Sequence, residues 1–234
     1  GFDRVKILLF IRNPISNAIS VWLQRIKRAG MHHITLDNMH QYGEVGLVKI
    51  FNVATFIDKI FKCKGVELMI RNYSVCKYNL INEVTDWLEV PNETIKAPTI
   101  NRINRSLTLS EMTLQRELNR VLGPSGDILS DPLCERLPDI EPDHILPPIF
   151  VQEAIWKEVY PTIERINKFL PEAHHYQCDI KEPSLMPEQI NFTKEQINVI
   201  AEGLGGRIAK LQRELESSLQ IIEKLNARIQ ILES

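Results

Sequence analysis

A nearly continuous apolar segment close to the start of the chain constrains the fold more than any other feature. The segment is VKILLFI, Val5–Ile11, and such runs are typical of a parallel strand that is covered on both faces. Asn13 and Pro14 follow, and these residue types are favoured as the N-cap and the first residue of a helix. Apolar residues then recur at helical spacing up to Gly30, which suits a left-handed helix end. The sequence therefore predicts a buried strand that leads into an amphipathic helix.

A second strand and two further helices are predicted downstream. Residues 51–61 have one apolar helical face, and the segment VELMIRN at 66–72 is another apolar strand. A third helix is predicted at 74–88, and residues 31–46 and 97–106 are predicted to form loops. The order strand–helix–helix–strand–helix predicts an α/β domain, in which helices flank a mostly parallel sheet.

The rest of the chain is predicted to be mainly helical. Thr108 and Glu111 have the spacing of a capping box before an apolar periodic segment that Gly123 ends. Another helix is predicted at 150–170, where Pro161 would kink it or split it in two. We expect an α/β core at 1–130, a helical cap or extension at 131–202 and a C-terminal helix at 203–234.

The C-terminal segment has a seven-residue repeat that is typical of a coiled coil. One core position holds Ile208, Leu215, Ile222 and Ile229, and the other holds Leu211, Ser218, Leu225 and Leu232. β-branched residues at the first position with Leu at the second favour parallel dimers, and Arg228 and Glu233 occupy positions where an interchain ion pair could form. We expect a homo-oligomer through residues 207–233, and a helix folded back on its own domain is the alternative. Three glycines, Gly203, Gly205 and Gly206, predict a hinge or a weak point before this segment.

Composition and charge limit the partners and the compartment. A net charge of −2 predicts no general attraction to nucleic acid, so any anion site must be a local patch.

The longest apolar run, Ile7–Ile11, is too short to span a bilayer, and no signal-peptide pattern is present. Four cysteines without a CxxC pair are typical of reduced thiols in a cytoplasmic protein. Because a buried parallel strand rarely opens a domain, we expect further sequence upstream; a tag residue before a complete domain is the alternative.

A charged residue at the end of the first strand predicts an anion-binding site. Ligands bind open α/β sheets at the carboxyl ends of the strands, where Arg12 lies. The following helix directs its N–H groups and the positive end of its dipole to the same place. Ser16 and Ser20 are four residues apart, so their hydroxyls share one helix face. A small anion such as phosphate fits this set, and the alternative is that Arg12 pairs with a structural carboxylate.

The residue pattern of this segment resembles the 3′-phosphate-binding motif of a known enzyme family. A strand followed by R-x-P-x-x-x-A-x-S, here Arg12 to Ser20, resembles the motif of sulfotransferases that use 3′-phosphoadenylyl sulfate (PAPS). The segment from Glu67 to Pro91 is similar to the later strand and helix of that family. The resemblance implies a P-loop-like sheet, and a 3′-phosphate of PAPS or of its product PAP held by Arg12 and Ser20. The resemblance also implies cofactor contacts at Tyr73 and Arg105. The family usually has Arg-Tyr at the first of these places, whereas Asn72 stands between Arg71 and Tyr73 in this sequence.

The family resemblance predicts an enzyme only when a second half-site is present. In that family a P-x-x-G-T-[ST] loop cradles the 5′-phosphosulfate, and no such loop occurs in this sequence. When complete, the protein is therefore expected to transfer a sulfuryl group to a hydroxyl or amine of a carbohydrate or small-molecule acceptor. The alternative is a non-catalytic sulfotransferase-like scaffold that acts as an interaction module through its coiled coil. The cluster His174, His175 and Cys178 lacks a fourth ligand at useful spacing, so no metal site is predicted.

Overall fold

The computed structural model describes residues 4–41, 53–96, 105–185 and 189–232. Its elements, in chain order, are β1 (Val5–Ile11), α1 (Pro14–Ala29), α2 (Val53–Phe61), β2 (Val66–Asn72), α3 (Tyr73–Cys76), α4 (Leu80–Leu88), α5 (Leu109–Leu122), α6 (Ser130–Arg136), α7 (Ile149–Asn167) and α8 (Lys194–Leu232). Short 3₁₀ turns lie at Asn92–Thr94 and Glu172–His174. Parts of the two predicted loops, and the first two residues of the helix predicted at 51–61, lie outside the described residues.

The two strands form a parallel pair, as the sequence predicts. Val5 lies opposite Val66, and the register continues until Ile11 lies opposite Asn72. Among the described residues the sheet has these two strands, and most of the remaining structure is helical. The mixed α/β class is therefore confirmed, whereas the more specific P-loop-like fold stays a prediction.

The chain divides into two compact units that do not follow the three predicted segments. The first unit comprises the described residues of 1–25, 31–101 and 143–186, and the second comprises those of 26–30, 102–142 and 187–234. The chain thus leaves the first unit, builds the helices α5 and α6, and returns to the first unit at α7. Amphipathic patterning identifies each helix in isolation, but it does not specify which helices share a core, and this explains the difference.

The core of the first unit lies between the strand pair and the helices α2 and α7. The buried cluster at this place comprises Ile11, Ile57, Ile70, Trp156, Val159, Ile163, Ile166, Leu170 and Tyr176. Helix α7 runs without interruption through Pro161, so the predicted split is not observed. A proline in a helix removes one backbone hydrogen bond, and the burial of Val159 and Ile163 on either side anchors the helix across that point.

The helix predicted at 74–88 is two helices, α3 and α4. The side chain of Asn72 accepts a hydrogen bond from the backbone N–H of Ser74 at 3.0 Å and so caps α3. Asn79 then precedes α4, and its backbone carbonyl accepts from the N–H of Glu83. Asparagine competes with helical backbone bonding through its own side chain, so it favours a helix end over a helix interior.

The second unit contains the predicted capping box and a small core. Thr108 accepts a hydrogen bond from the backbone N–H of Glu111, whose carboxylate in turn accepts from the N–H of Thr108. Gly123 follows α5 with φ of +74°, which favours glycine. One buried cluster of the unit comprises Leu129, Leu133 and Val199.

Helix α8 is continuous for 39 residues and includes all three glycines of the predicted hinge. A Cβ atom at Gly203 would lie 2.1 Å from the carbonyl oxygen of Ile128, whereas Gly205 and Gly206 have no atom within 4 Å of the same position. Gly203 therefore permits close packing of α8 on the loop before α6. The predicted interruption is not observed in this helix. Within the described ranges, no helix combines the length and the apolarity that crossing a membrane requires.

Candidate anion-binding site

The carboxyl end of β1 is held by a buried tyrosine from the segment after α7. The hydroxyl of Tyr176 donates a hydrogen bond of 2.6 Å to the backbone carbonyl of Ile11. Burial raises the pKa of Tyr176 well above its usual range, so the hydroxyl stays a donor at all physiological pH values. This bond fixes the last residue of β1 immediately before Arg12.

Arg12 keeps its charge available at this strand end. Its guanidinium carbon lies 5.2 Å from the ring centroid of Tyr73, a cation–π distance. The salt bridges and hydrogen bonds formed among the described residues do not include its guanidinium. The structural carboxylate that would have explained Arg12 without a ligand is therefore not observed among those residues.

The first turn of α1 differs from the expected anion site. The side-chain oxygen of Asn13 accepts from the N–H groups of Ile15 at 3.0 Å and Ser16 at 3.3 Å, and its carbonyl accepts from Asn17 at 2.8 Å. Pro14 has no N–H. The expectation of free N–H donors at this helix end is therefore wrong, because the N-cap already satisfies them. The dipole of the 16-residue helix remains and favours an anion near its start.

Ser16 and Ser20 lie on α1 as predicted, one turn apart. Ser16 is exposed and Ser20 is half-buried. Between the described residues, neither hydroxyl takes part in a side-chain hydrogen bond; only the backbone N–H of Ser16 does. Both hydroxyls can therefore donate to an added anion without breaking a bond inside the described structure.

Two further arginines, one at the end of β2 and one in the loop predicted at 97–106, are already paired. Arg71, at the end of β2, donates to Glu83 at 2.6 Å. Arg105 is buried, and its five N–H groups donate to Glu111, Ser106, Leu133 and Leu137. Its predicted cofactor contact thus has no donor left in this geometry. Arg102, in the same predicted loop, lies outside the described residues.

Burial and hydrogen bonding act in opposite directions on the carboxyl group that pairs with Arg105. Burial by itself would raise the pKa of Glu111, but hydrogen bonds from Arg105, the backbone of Thr108 and Gln196 together hold that pKa below its usual range. Glu111 is therefore ionised at neutral pH. The pair joins the residues before α5 to the first turn of α8 within the second unit.

A cavity of about 450 Å³ opens at the carboxyl ends of the two strands. Asn13, Asn72 and Ser74 line it on the strand side, and the hydroxyl oxygen of Ser74 accepts from the backbone N–H of Asn13 at 3.3 Å. The opposite wall is the segment 172–179, which includes Glu172, His175 and Asp179. Glu172 and Asp179 give this wall negative charge, part of which Lys181 balances by pairing with Asp179 at 3.0 Å, so the wall suits neutral or cationic groups better than an anion.

Sequence reasoning did not identify this wall. The segment 172–179 drew attention only for its His-His-x-x-Cys spacing, and the described residues include no group of three His, Cys, Asp or Glu side chains placed to hold a metal ion. The signal that could have identified the wall is Tyr176, an aromatic residue with a polar tip in an otherwise polar stretch. Such residues are commonly buried with a hydrogen-bond partner.

Comparisons with protein-family models, with curated proteins and with solved structures found no match to this chain. The sulfotransferase hypothesis therefore rests on the Arg12–Ser20 motif and on the geometry around Arg12.

Proposed function

We propose that the first unit binds PAPS or its product PAP, with the 3′-phosphate held by Arg12 and Ser20. The observation that carries this proposal is the guanidinium of Arg12, which lies over the ring of Tyr73 at 5.2 Å and pairs with no carboxylate of a described residue. Arg71 and Arg105, by contrast, each have a carboxylate partner. An unpaired, oriented arginine at the carboxyl end of a parallel strand fits a ligand phosphate better than a structural role.

Each neighbour of Arg12 has a separate part in this proposal. The ring of Tyr73 restricts the orientation of the guanidinium, so less conformational freedom is lost when a phosphate binds. Ser20 supplies a hydroxyl donor, Ser16 can supply another, and the dipole of α1 favours the negative charge. Asn13 keeps the first turn intact, because its side chain satisfies the N–H groups that a phosphate would otherwise take.

The proposed reaction is the transfer of a sulfuryl group to a hydroxyl or amine acceptor. Such a transfer requires an acceptor oxygen or nitrogen in line with the sulfur, a base for its proton and a cation at the leaving phosphate. Arg12 and Ser20 would orient the donor nucleotide from a point remote from the sulfur. In the family that the motif resembles, the reacting end lies on a different loop, so these two residues are proposed as binding residues and not as catalytic ones.

Calorimetric titration of PAP tests this assignment. We expect Arg12→Ala to weaken PAP binding by well over tenfold, because a bidentate charged contact is lost. Arg12→Lys should recover only part of the affinity, since a lysine offers the charge without the planar fork. Ser20→Ala should weaken binding more than Ser16→Ala does. Arg120→Ala, which changes an exposed arginine of α5, is the matched control and should bind PAP as the native chain does. Unchanged affinity in Arg12→Ala would overturn the assignment.

A second candidate function, assembly through the C-terminal helix, is favoured by a specific observation. The apolar core positions of the repeat after Gly206 are uncovered: Ile208, Leu211, Leu215, Ile222, Leu225, Ile229 and Leu232 are each 48% to 85% exposed. The alternative of a helix folded back on its own domain is not observed for these residues. A row of large apolar side chains on a helix is stabilised when a partner covers it.

Sedimentation over a range of concentrations tests the assembly function. The native chain is expected to reach a mass of at least two chains, and Leu225→Asp, which places a charge in the core of the repeat, is expected to sediment as one chain. Gln220→Asp adds the same charge on the outer side of the helix and should leave the mass unchanged. A native chain that stays monomeric at all concentrations would contradict this function.

A further inference from the structure

We propose that residues 207–232 of α8 pair with the same residues of a second copy as an antiparallel coiled coil. The inference rests on the self-association just proposed and adds its orientation. The core residues alone, Ile with Leu, favour a parallel pair. The residues that flank the core decide between the two orientations, because they must face one another across the edges of the interface.

The flanking positions of the repeat follow directly from its core. The position before each first core residue holds Arg207, Glu214, Ile221 and Arg228, and the position after each second core residue holds Gln212, Leu219 and Asn226. Leu219 and Ile221 are half exposed, at 50% and 56%. They widen the apolar face at the middle of the helix, around Ser218. Any partner must therefore be apolar opposite the middle of the helix and polar toward its ends.

An antiparallel second copy meets this requirement. When Ile208 lies opposite Leu232 of the second copy, the same alignment places Leu215 opposite Leu225 and Ser218 opposite Ile222, so all eight core residues are covered. Reversing one helix brings like flanking positions together. Glu214 then faces Arg228 of the second copy, and by symmetry Arg228 faces the second Glu214.

The apolar flanking residues also find apolar partners in this alignment. Ile221 faces Ile221 of the second copy, and Leu219 faces Leu219, because both lie beside the two-fold axis. Gln212 faces Asn226, so polar residues meet polar residues. Shifting the helices by one repeat in one direction would oppose Arg207 and Arg228, which are both positive, and in the other direction it would oppose Arg228 and the apolar Ile221. Charge and apolarity therefore select one register as well as one orientation.

A parallel, in-register pair would oppose unlike residues at the same positions. There Glu214 would face Leu219 of the second copy, and Ile221 would face Asn226, which places one charge and one amide against apolar side chains. The attractive contact in that arrangement would be Arg228 with Glu233, a residue that lies outside the described part of the chain. The parallel arrangement thus leaves the apolar flanks without apolar partners.

The polar residue in the core does not oppose the proposed pairing. The hydroxyl of Ser218 donates a hydrogen bond of 2.8 Å to the backbone carbonyl of Glu214 in its own helix. Covering Ser218 with Ile222 of the second copy therefore leaves no hydroxyl without a partner. The small side chain also leaves room beside the axis for Leu219 and Ile221.

A charge exchange in the 234-residue chain tests the orientation. In the antiparallel pair Glu214→Lys should raise the dissociation constant about tenfold, because two attractive contacts per dimer become repulsive. Arg228→Glu should do the same, and the double variant should return to within about threefold of the native value. Glu216→Lys changes a carboxylate on the outer side of the helix and is the control. In a parallel pair the double variant would stay weak, because the carboxylate introduced by Arg228→Glu would still oppose Glu233; that result would overturn the orientation.

A distance measurement provides a second test with a different readout. Spin labels at Arg207→Cys, with the exposed Cys63 and Cys178 changed to Ser, should lie about 39 Å apart along the axis of an antiparallel pair, given a rise of about 1.5 Å per residue. In a parallel pair the same labels would lie roughly 10–20 Å apart, because the helix axes are about 8–10 Å apart. The short distance would overturn the orientation and leave self-association standing, whereas a monomer would overturn both.

Discussion

Arg105→Ala is expected to lower the free energy of unfolding of the second unit by about 3–5 kcal/mol, because it leaves Glu111 as a buried charge without its partner. Both side chains of this pair are fully buried, with contacts of 2.7 Å from each terminal nitrogen of Arg105 to a different oxygen of Glu111. The carbonyls of Leu133 and Leu137 would each lose the hydrogen bond from Arg105 and keep one from a backbone N–H. Hydrogen exchange of the amides of α5 and helical circular dichroism during urea unfolding measure the loss.

Arg12→Ala is the matched control for this stability prediction. Its guanidinium forms no ion pair with a described residue and contacts the ring of Tyr73, so its removal should change the free energy of unfolding by no more than about 1 kcal/mol. Arg105→Leu combined with Glu111→Leu should be less destabilising than Arg105→Ala, since replacing both charges leaves no unpaired one. Equal losses in Arg12→Ala and Arg105→Ala would contradict the separation of a structural arginine from a ligand-binding one.

Gly203→Ala is expected to destabilise the second unit by roughly 3 kcal/mol, because the added methyl group cannot be placed without moving a backbone segment. The Cβ atom of the new alanine would lie 2.1 Å from the backbone carbonyl oxygen of Ile128. A backbone atom moves at a greater energetic cost than the end of a flexible side chain does. The packing of Val199 against Leu129 and Leu133 would be disturbed by the same movement. Thermal unfolding followed by circular dichroism measures the effect.

Gly205→Ala, two residues further along the same helix, is expected to have the opposite sign. No atom lies within 4 Å of its Cβ position, and alanine in a helix interior is favoured over glycine by about 0.5–1 kcal/mol. Stabilisation by both Gly203→Ala and Gly205→Ala would contradict the close contact of α8 with Ile128 and would support the flexible segment that the sequence suggested.

The parts of the fold that sequence reasoning predicted correctly are those that local chemistry determines. Both strands, the helix that starts at Pro14 and the capping box of Thr108 with Glu111 depend on residues within a few positions of one another. The long C-terminal helix follows from its repeat in the same way. Helix periodicity and capping are short-range properties, so they can be read without knowledge of tertiary contacts.

The parts that were missed depend on contacts between distant residues. Tyr176 bonds to Ile11 across 165 positions of the chain, and no local pattern relates the two. The sequence predicts a hinge at Gly203, because Ile128, the residue that Gly203 packs against, is far away along the chain. The break between α3 and α4 is an intermediate case, because Asn79 favours a helix end but a single asparagine does not demand one.

The candidate site shows the same limit in its arginines. Arg12, Arg71 and Arg105 all follow or lie near predicted strand ends or loops, and the sequence offered no way to rank them by availability. The carboxylate partners of these arginines differ in the structure. Arg71 contacts Glu83 and Arg105 contacts Glu111, whereas Arg12 contacts no carboxylate of a described residue. Which carboxylate reaches which arginine is decided by how the helices pack, and packing cannot be read from the periodicity of each helix.

Paired titrations of PAP and AMP into the native chain and into Arg12→Ala test the central claim most directly, because AMP lacks the 3′-phosphate. If Arg12 holds that phosphate, the native chain should prefer PAP to AMP by about tenfold or more, and the preference should vanish in Arg12→Ala. The comparison cancels every contact that the two nucleotides share. A preference for PAP of equal size in both proteins would contradict the assignment of the 3′-phosphate to Arg12, as would a native chain that binds neither nucleotide.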